Sequence, residues 1–92
     1  MEKIITTVTR IDGNTVAEFE KDMKNALEGD DKEIIVDMEQ TTYICSSALR
    51  VFLKTHKELK KNGGSMLIRN VKPQILEIFE VTGFSGILSF EE

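Results

Sequence analysis

The segment Ile44-Cys45-Ser46-Ser47-Ala48-Leu49 joins two apolar patterns of different period. Before it, Ile34-Ile35-Val36 forms the centre of a run over residues 33–38 that predicts a strand covered on both faces. After it, apolar residues recur at helical spacing and predict a helix from Ser46 to Lys61. The residues expected on the inward side of this helix are Leu49, Phe52, Leu53, His56 and Leu59. A strand, a short loop and a helix in this order indicate an α/β protein.

Strand and helix patterns alternate along the rest of the chain. Further strands are predicted at residues 4–8, 66–70 and 87–90, and further helices begin near Thr15 and at Pro73. Thr15 and Glu18 have the form of a capping box, and helix stops are expected at Gly29-Asp30-Asp31, Asn62-Gly63-Gly64 and Gly83. The order β-α-β-α-β-α-β predicts a single domain over residues 1–92, with a small, mostly parallel four-stranded sheet and helices packed on it. The core is expected to include Val36, Leu49, Leu53, Ile68 and Phe79, with Tyr43 and Ile44 as anchors of the loop.

Composition excludes several classes of function. Twelve Lys and Arg residues against 16 Asp and Glu give a net charge of −4, which argues against a nucleic-acid surface. One cysteine rules out an intramolecular disulfide and fits a reducing cytoplasm. No apolar run approaches the ~20 residues that cross a bilayer, so we expect no membrane insertion. We also expect the free protein to be a monomer.

The chain offers few groups for catalysis. Cys45 and His56 are 11 residues apart on one predicted helix and its entry, roughly 16 Å at the helical rise, which is too far for a thiol–imidazole pair. One Cys and one His cannot anchor a metal site, and Gly63-Gly64 follows a helix where a phosphate-binding loop would follow a strand. The residues therefore predict a binding domain with no enzymatic activity and no cofactor.

Ser46 and Ser47 stand at the start of the long helix. A serine hydroxyl there can cap the first turn, and the same place suits a phosphate, because free N–H groups and the helix dipole both favour negative charge. The residues alone leave both interpretations open.

Several segments in order resemble the STAS domains of bacterial anti-sigma factor antagonists. The centre of the resemblance is Ile35-Val36-Asp37-Met38 followed by Tyr43 to Leu49 and Val51-Phe52-Leu53, and later matches are Asn62-Gly63-Gly64 with Met66-Leu67-Ile68, and Ile78-Phe79 with Thr82-Gly83-Phe84. The family pattern opens the helix with Asp-Ser-Ser-Gly-Leu, so Cys45 stands for the aspartate and Ala48 for the glycine. Compared with the family, the domain is expected to be shortened at both ends.

The resemblance implies a function. In the family, an anti-sigma factor that is also a serine kinase binds the unmodified protein and releases a sigma factor, and phosphorylation of a serine breaks the complex. Ser46 matches that phosphorylated serine. The expected partner-binding residues are Asp12, Asn14, Thr42, Cys45, Ser46, Ser47, Arg50 and Lys54. The alternatives are a STAS scaffold or a partner subunit of a signalling or transporter ATPase complex, neither of which switches, and, in another class, a binder of small ligands or nucleotides.

Overall fold

The structure is a computed structural model that describes residues 2–29 and 32–91. Its elements in chain order are β1 (Glu2–Thr6), β2 (Arg10–Ile11), α1 (Val16–Glu28), β3 (Glu33–Asp37), β4 (Tyr43–Ile44), α2 (Ser46–Lys61), β5 (Ser65–Arg69), α3 (Pro73–Val81), a 3₁₀ turn (Phe84–Gly86) and β6 (Ser89–Phe90). The predicted α/β alternation is confirmed, and α2 has the predicted bounds. β1 lies two residues earlier than predicted, and the pair of short strands β2 and β4 was not predicted.

The main sheet has the strand order β1-β3-β5-β6, and every neighbouring pair is parallel. The predicted four-stranded sheet is therefore confirmed. Because all strands run the same way, their carboxyl ends lie at one edge of the sheet together with the loops that follow them. The candidate residue Thr42 lies in the loop that follows β3, and Asp12 and Asn14 lie in the loop that follows β2. The candidates Ser46, Ser47, Arg50 and Lys54 lie on α2.

The three helices share one core with one face of the sheet. Alternate residues Ile34, Val36, Met66 and Ile68 belong to that core together with buried side chains of all three helices. Ile35 points to the other face, where its neighbours in register are Ile4 and Leu67. Ile35 is 6% exposed but does not belong to the cluster that the helices share, and Ile4 on the same face is 46% exposed. The predicted burial of both faces at the centre of this strand is confirmed, since Ile34, Ile35 and Val36 are all buried.

A row of phenylalanines forms the centre of the core. Phe52 of α2 contacts Phe19 of α1 at 5.0 Å and Phe79 of α3 at 5.4 Å between ring centroids, and Phe79 contacts Phe90 of β6 at 5.1 Å. Two of these pairs are edge-to-face, an arrangement that adds to the gain from burial. The row therefore joins all three helices to the last strand of the sheet.

The inward face of α2 is rotated from the predicted one. Leu49, Phe52 and Leu59 are buried as expected, but Leu53 and His56 are only half-buried. Their places are taken by Ala48, Val51 and Thr55, which are buried because α2 packs against α1 as well as against the sheet. The prediction of Leu53 as a core residue is wrong, whereas Val36, Leu49, Ile68 and Phe79 are buried as predicted.

The ends of the helices show which stop signals act. Gly83 has a left-handed backbone with φ +83° after the last turn of α3, and Phe84 packs back on the core, as predicted. The prediction of a capping box is wrong, because Thr15 makes no side-chain cap hydrogen bond to α1. Its hydroxyl instead donates to the Arg10 carbonyl oxygen at 2.6 Å. The stop after α1 was predicted at Gly29-Asp30-Asp31, of which Asp30 and Asp31 lie outside the described residues.

Candidate functional site

Two short strands bring the candidate residues together. β2 and β4 form a separate two-stranded parallel sheet in which Arg10 is in register with Tyr43 and Ile11 with Ile44. Ile11 and Ile44 are buried and fix this small sheet to the core, whereas Tyr43 is 39% exposed. The anchoring role predicted for Ile44 is confirmed, and the one predicted for Tyr43 is wrong.

The small sheet places the loop that begins with Asp12 beside the start of α2. The Cys45 N–H donates to the Ile11 carbonyl oxygen at 2.9 Å, so Asp12 follows a residue that is bonded directly to the N-cap of α2. Thr42 is held in the same way, since its N–H donates to the Thr9 carbonyl oxygen at 2.7 Å. The structure therefore brings Asp12, Thr42 and Ser46 into one neighbourhood, as the sequence predicted.

Asp12 organises its own loop. One carboxylate oxygen accepts the Asn14 N–H at 2.9 Å, and the other lies 3.5 Å from Arg10 Nε. The hydrogen bond from Asn14, reinforced by Arg10, holds the pKa of Asp12 below its ordinary value. Asp12 thus presents a fixed negative charge beside the start of α2, and Asn14 is exposed next to it.

Arg10 and Tyr43 are surface residues of this site. The sequence analysis did not identify Arg10, and it expected Tyr43 to be an anchor of the loop. The Arg10 guanidinium lies 4.4 Å from the centroid of the Tyr43 ring, a cation–π contact, and it also pairs with Asp12. The sequence gives little indication of their roles, because a strand of two residues is too short to show an alternation of apolar and polar residues. The register of β2 with β4 is what brings the two side chains together.

The start of α2 tests the cap, which is one of the two roles left open for the serines. Cys45 is the N-cap residue, with an extended backbone and no side-chain cap hydrogen bond, and Ser46 is the first residue of the helix. Ser46 and Ser47 are both exposed. The interpretation of Ser46 as the cap is therefore wrong, and its hydroxyl lies on the surface at the positive end of the helix dipole.

The two departures from the family pattern lie in different surroundings. Ala48 is fully buried in the core, so its methyl group faces the interior and not a partner. Cys45 is half-buried and packs against the core. Only the change at position 45 therefore alters the surface beside Ser46, where it removes the carboxylate of the family aspartate.

Arg50 and Lys54 line a surface cleft between α1 and α2. The cleft has a volume of about 360 Å³, and Ser47 lies at its wall together with Glu20 of α1. Lys54 Nζ is 3.8 Å from Glu20 Oε2, an exposed ion pair across the cleft. We define the loop surface as Arg10, Asp12, Asn14, Thr42, Ser46 and Ser47; the cleft extends from it along α2.

No group of three or more His, Cys, Asp or Glu side chains that could hold a metal ion occurs among residues 2–29 and 32–91. None of the helices described is long and apolar enough to cross a membrane.

The model of the STAS domain family matches residues 2–92. The chain is a STAS domain. Among curated relatives, it is 27% identical to BtrV of Bordetella bronchiseptica, over 88% of this chain and 80% of that protein. BtrV is described by name as an anti-sigma factor antagonist. It is 29% identical to the anti-sigma-B factor antagonist of Staphylococcus aureus, over 89% of this chain and 76% of the relative.

Solved structures show the same STAS fold. The anti-sigma factor antagonist SpoIIAA in its unphosphorylated form superposes with a TM-score of 0.82 at 20% identity, covering 97% of this chain and 78% of SpoIIAA. The phosphorylated form of SpoIIAA from Bacillus superposes with a TM-score of 0.73 over the same share of this chain. The relatives and the solved structures that this STAS domain resembles are thus named anti-sigma factor antagonists.

A second carboxylate that the sequence analysis passed over organises the same edge of the STAS sheet. Asp37 ends β3 and accepts the Glu39 N–H at 3.0 Å and the Asn70 side-chain amide at 3.1 Å, and it lies 3.4 Å from Arg69 Nε. The Asn70 hydrogen bond, followed by those of Glu39 and Arg69, lowers the pKa of Asp37. This cluster joins the ends of β3 and β5, so we assign it a structural role.

Proposed function

We propose that this protein binds an anti-sigma factor that is also a serine kinase, and that phosphorylation of Ser46 by that kinase ends the complex. The observation that carries the proposal is Ser46 itself, exposed as the first residue of α2 beside Asp12 and not used as a cap. The name of the structural neighbour SpoIIAA, which was solved in unphosphorylated and phosphorylated forms, supports it. The protein would act by binding and not by catalysis, in the cytoplasm where ATP supplies the phosphoryl group.

The domain can accept the phosphate without unfolding. A phosphate brings about −1.5 to −2 charge at pH 7, which is favourable at the N-terminus of a helix. Arg50 is exposed one turn further along α2 and can pair with it in a charge-assisted contact. The modification would then place charge and bulk on the loop surface and draw Arg50 away from the partner.

Asp12 and the start of α2 explain why a kinase would distinguish two adjacent serines. The Ile11–Cys45 hydrogen bond fixes the distance between the Asp12 loop and the first turn of α2. Ser47 lines the cleft between α1 and α2, whereas Ser46 is not part of that cleft. A partner that contacts the Asp12 loop therefore meets Ser46 as the first hydroxyl of the helix.

The test begins with a pull-down from the native cell, which supplies the cognate kinase. The protein is then incubated with that kinase and ATP, and the modified site is mapped by mass spectrometry. We expect label on Ser46, loss of the label in Ser46→Ala, and retention of it in the matched control Ser47→Ala. Label on Ser47 alone, or no label with a kinase that does bind, would contradict the proposal and favour a scaffold or a transporter subunit.

A further inference from the structure

The outer edge of β1 is not covered by another strand among the described residues. β1 is the outermost strand of the main sheet and, among residues 2–29 and 32–91, pairs with β3 on one side only. It is five residues long, and Ile4 at its centre is 46% exposed. An uncovered edge of this length presents unpaired N–H and C=O groups that another strand can bind.

The register with β3 shows which backbone groups face outward. The Thr7 N–H donates to the Asp37 carbonyl oxygen at 3.0 Å, so Thr7 faces β3. Because the backbone N–H and C=O of alternate residues point to opposite sides of a strand, Ile5 and Lys3 face β3 as well. Glu2, Ile4 and Thr6 therefore direct their N–H and C=O groups away from the sheet.

We propose that the occupant of this edge is a second copy of the chain, with the two β1 strands antiparallel and centred on Ile4. In that register Ile4 lies opposite Ile4 of the second copy, and Glu2 lies opposite Thr6. Every outward N–H and C=O of these three residues then has a partner. The two sheets would join into one continuous sheet about a two-fold axis, the commonest symmetry of protein dimers.

Side chains favour this register over its neighbours. Residues that lie opposite each other in two paired strands have their side chains on the same face of the sheet. The two-fold axis of the β1–β1 pair must therefore lie at the position of a residue and cannot lie between two successive residues. A centre at Lys3 would place two ammonium groups opposite each other, which is unfavourable. A centre at Ile5 would leave Glu2 without an opposite residue among the five of β1. The Ile4 centre instead covers part of an exposed apolar side chain.

Charge at the rim of the edge also fits a second copy. A groove of about 280 Å³ runs between the outer side of β1 and α1, and Lys3, Asp22 and Asn25 are among the residues that line it. In the proposed register, Lys3 of the second copy lies opposite Ile5, on the helix-covered face and beside Asp22. Lys3 of each copy can therefore pair with Asp22 of the other. The proposal replaces the monomer that the sequence predicted with a dimer.

The first measurement is mass as a function of concentration. Sedimentation equilibrium from micromolar to millimolar protein should show a rise from the 10.4 kDa monomer toward twice that mass. Ile4→Lys places like charges opposite each other and should weaken association about tenfold or more. The matched control is Val81→Lys, which makes the same charge change at a residue of α3 that is 77% exposed. It should associate as the parent does.

The second measurement identifies the edge directly. Amide hydrogen exchange followed by NMR should show protection of Ile4 and Thr6 that grows with protein concentration. Thr7 should be protected at every concentration, because its N–H is already bonded to Asp37. In a Cys45→Ser background, Ile4→Cys should form a disulfide-linked dimer under mild oxidation, and Val81→Cys should not.

Two results would overturn the inference. A mass that stays monomeric up to millimolar protein would exclude self-pairing and leave the edge to a strand of another protein. A dimer that Ile4→Lys does not weaken would place the interface elsewhere. Circular dichroism melting of each variant separates loss of association from loss of folding. Neither result bears on Ser46, so failure here and failure of the proposed switch are distinguishable.

Discussion

Arg50 is the residue whose charge the proposed switch uses twice, once toward the partner and once toward the phosphate. It is exposed on α2, four residues after Ser46, and lines the cleft with Lys54. Reversing its charge changes the electrostatics of the proposed interface without touching the core. We therefore expect Arg50→Glu to weaken binding of the cognate kinase by roughly tenfold, in the range of a lost charged contact, with little change in melting temperature.

The control for Arg50 is Lys21→Glu, the corresponding charge reversal at an exposed residue of α1. Isothermal titration calorimetry with the kinase measures both variants against the parent. If the two variants bind equally well, net charge and not position accounts for any change, and Arg50 lies outside the interface.

At the residue scale, the sequence predicted those features of the candidate site that depend only on neighbouring residues. Asp12 and Asn14 form a turn, and Ser46 and Ser47 open a helix, as their types indicate. The roles of Arg10, Tyr43 and Asp37 were not predicted, because these roles depend on partners far along the chain. Arg10 acquires its role from Tyr43, and Asp37 from Asn70, and no local pattern encodes either contact.

At the scale of elements, α2 shows both what periodicity can and cannot predict. Its bounds were predicted, because an apolar repeat and the Asn62-Gly63-Gly64 stop mark them. Its inward face was not, because α2 packs against two elements, α1 and the sheet, and this broadens and rotates the buried stripe toward Val51 and Thr55. The short strands β2 and β4 were missed for a related reason: two residues show no alternation.

The rotated face of α2 leads to a stability prediction. Phe52 is fully buried and contacts the rings of both Phe19 and Phe79, so Phe52→Ala should cost about 3–5 kcal/mol. Leu53→Ala, the neighbouring truncation on the same helix, should cost about 1 kcal/mol, because Leu53 is half-buried. Urea titration of both variants gives the comparison. Equal costs would mean that the packing of α2 has been assigned to the wrong face.

At the scale of the whole molecule, one end of the sheet holds both the candidate site and two carboxylates with lowered pKa values. Asp12 fixes the loop after β2, and Asp37 joins the ends of β3 and β5. The parallel topology is the reason, since all carboxyl ends of the strands, with their polar loops, lie together. The sequence could predict this edge from the alternation of elements, but not which carboxylates would be held there.

The two carboxylates make stability depend on acid pH. The pKa of Asp37 in the folded protein lies below its ordinary value of 3.8, so the folded state binds its proton less readily than the unfolded chain. The stabilisation from this group is therefore fully present above its ordinary value and is lost as the pH falls through the folded value. We expect the free energy of unfolding to decrease as the pH is lowered from about 4 toward 2.

Asp37→Asn isolates this contribution, because asparagine keeps an oxygen that can accept the Glu39 and Asn70 hydrogen bonds but has no proton to gain. The variant should be less stable than the parent at neutral pH, where the ion pair with Arg69 is lost, and its stability should fall less steeply between pH 4 and pH 2. Urea titrations at several pH values test both points, with Glu77→Gln on α3 as the matched control. The control should keep the acid dependence of the parent. If Asp37→Asn keeps it as well, the dependence arises from other carboxylates and the Asp37 cluster does not contribute to it.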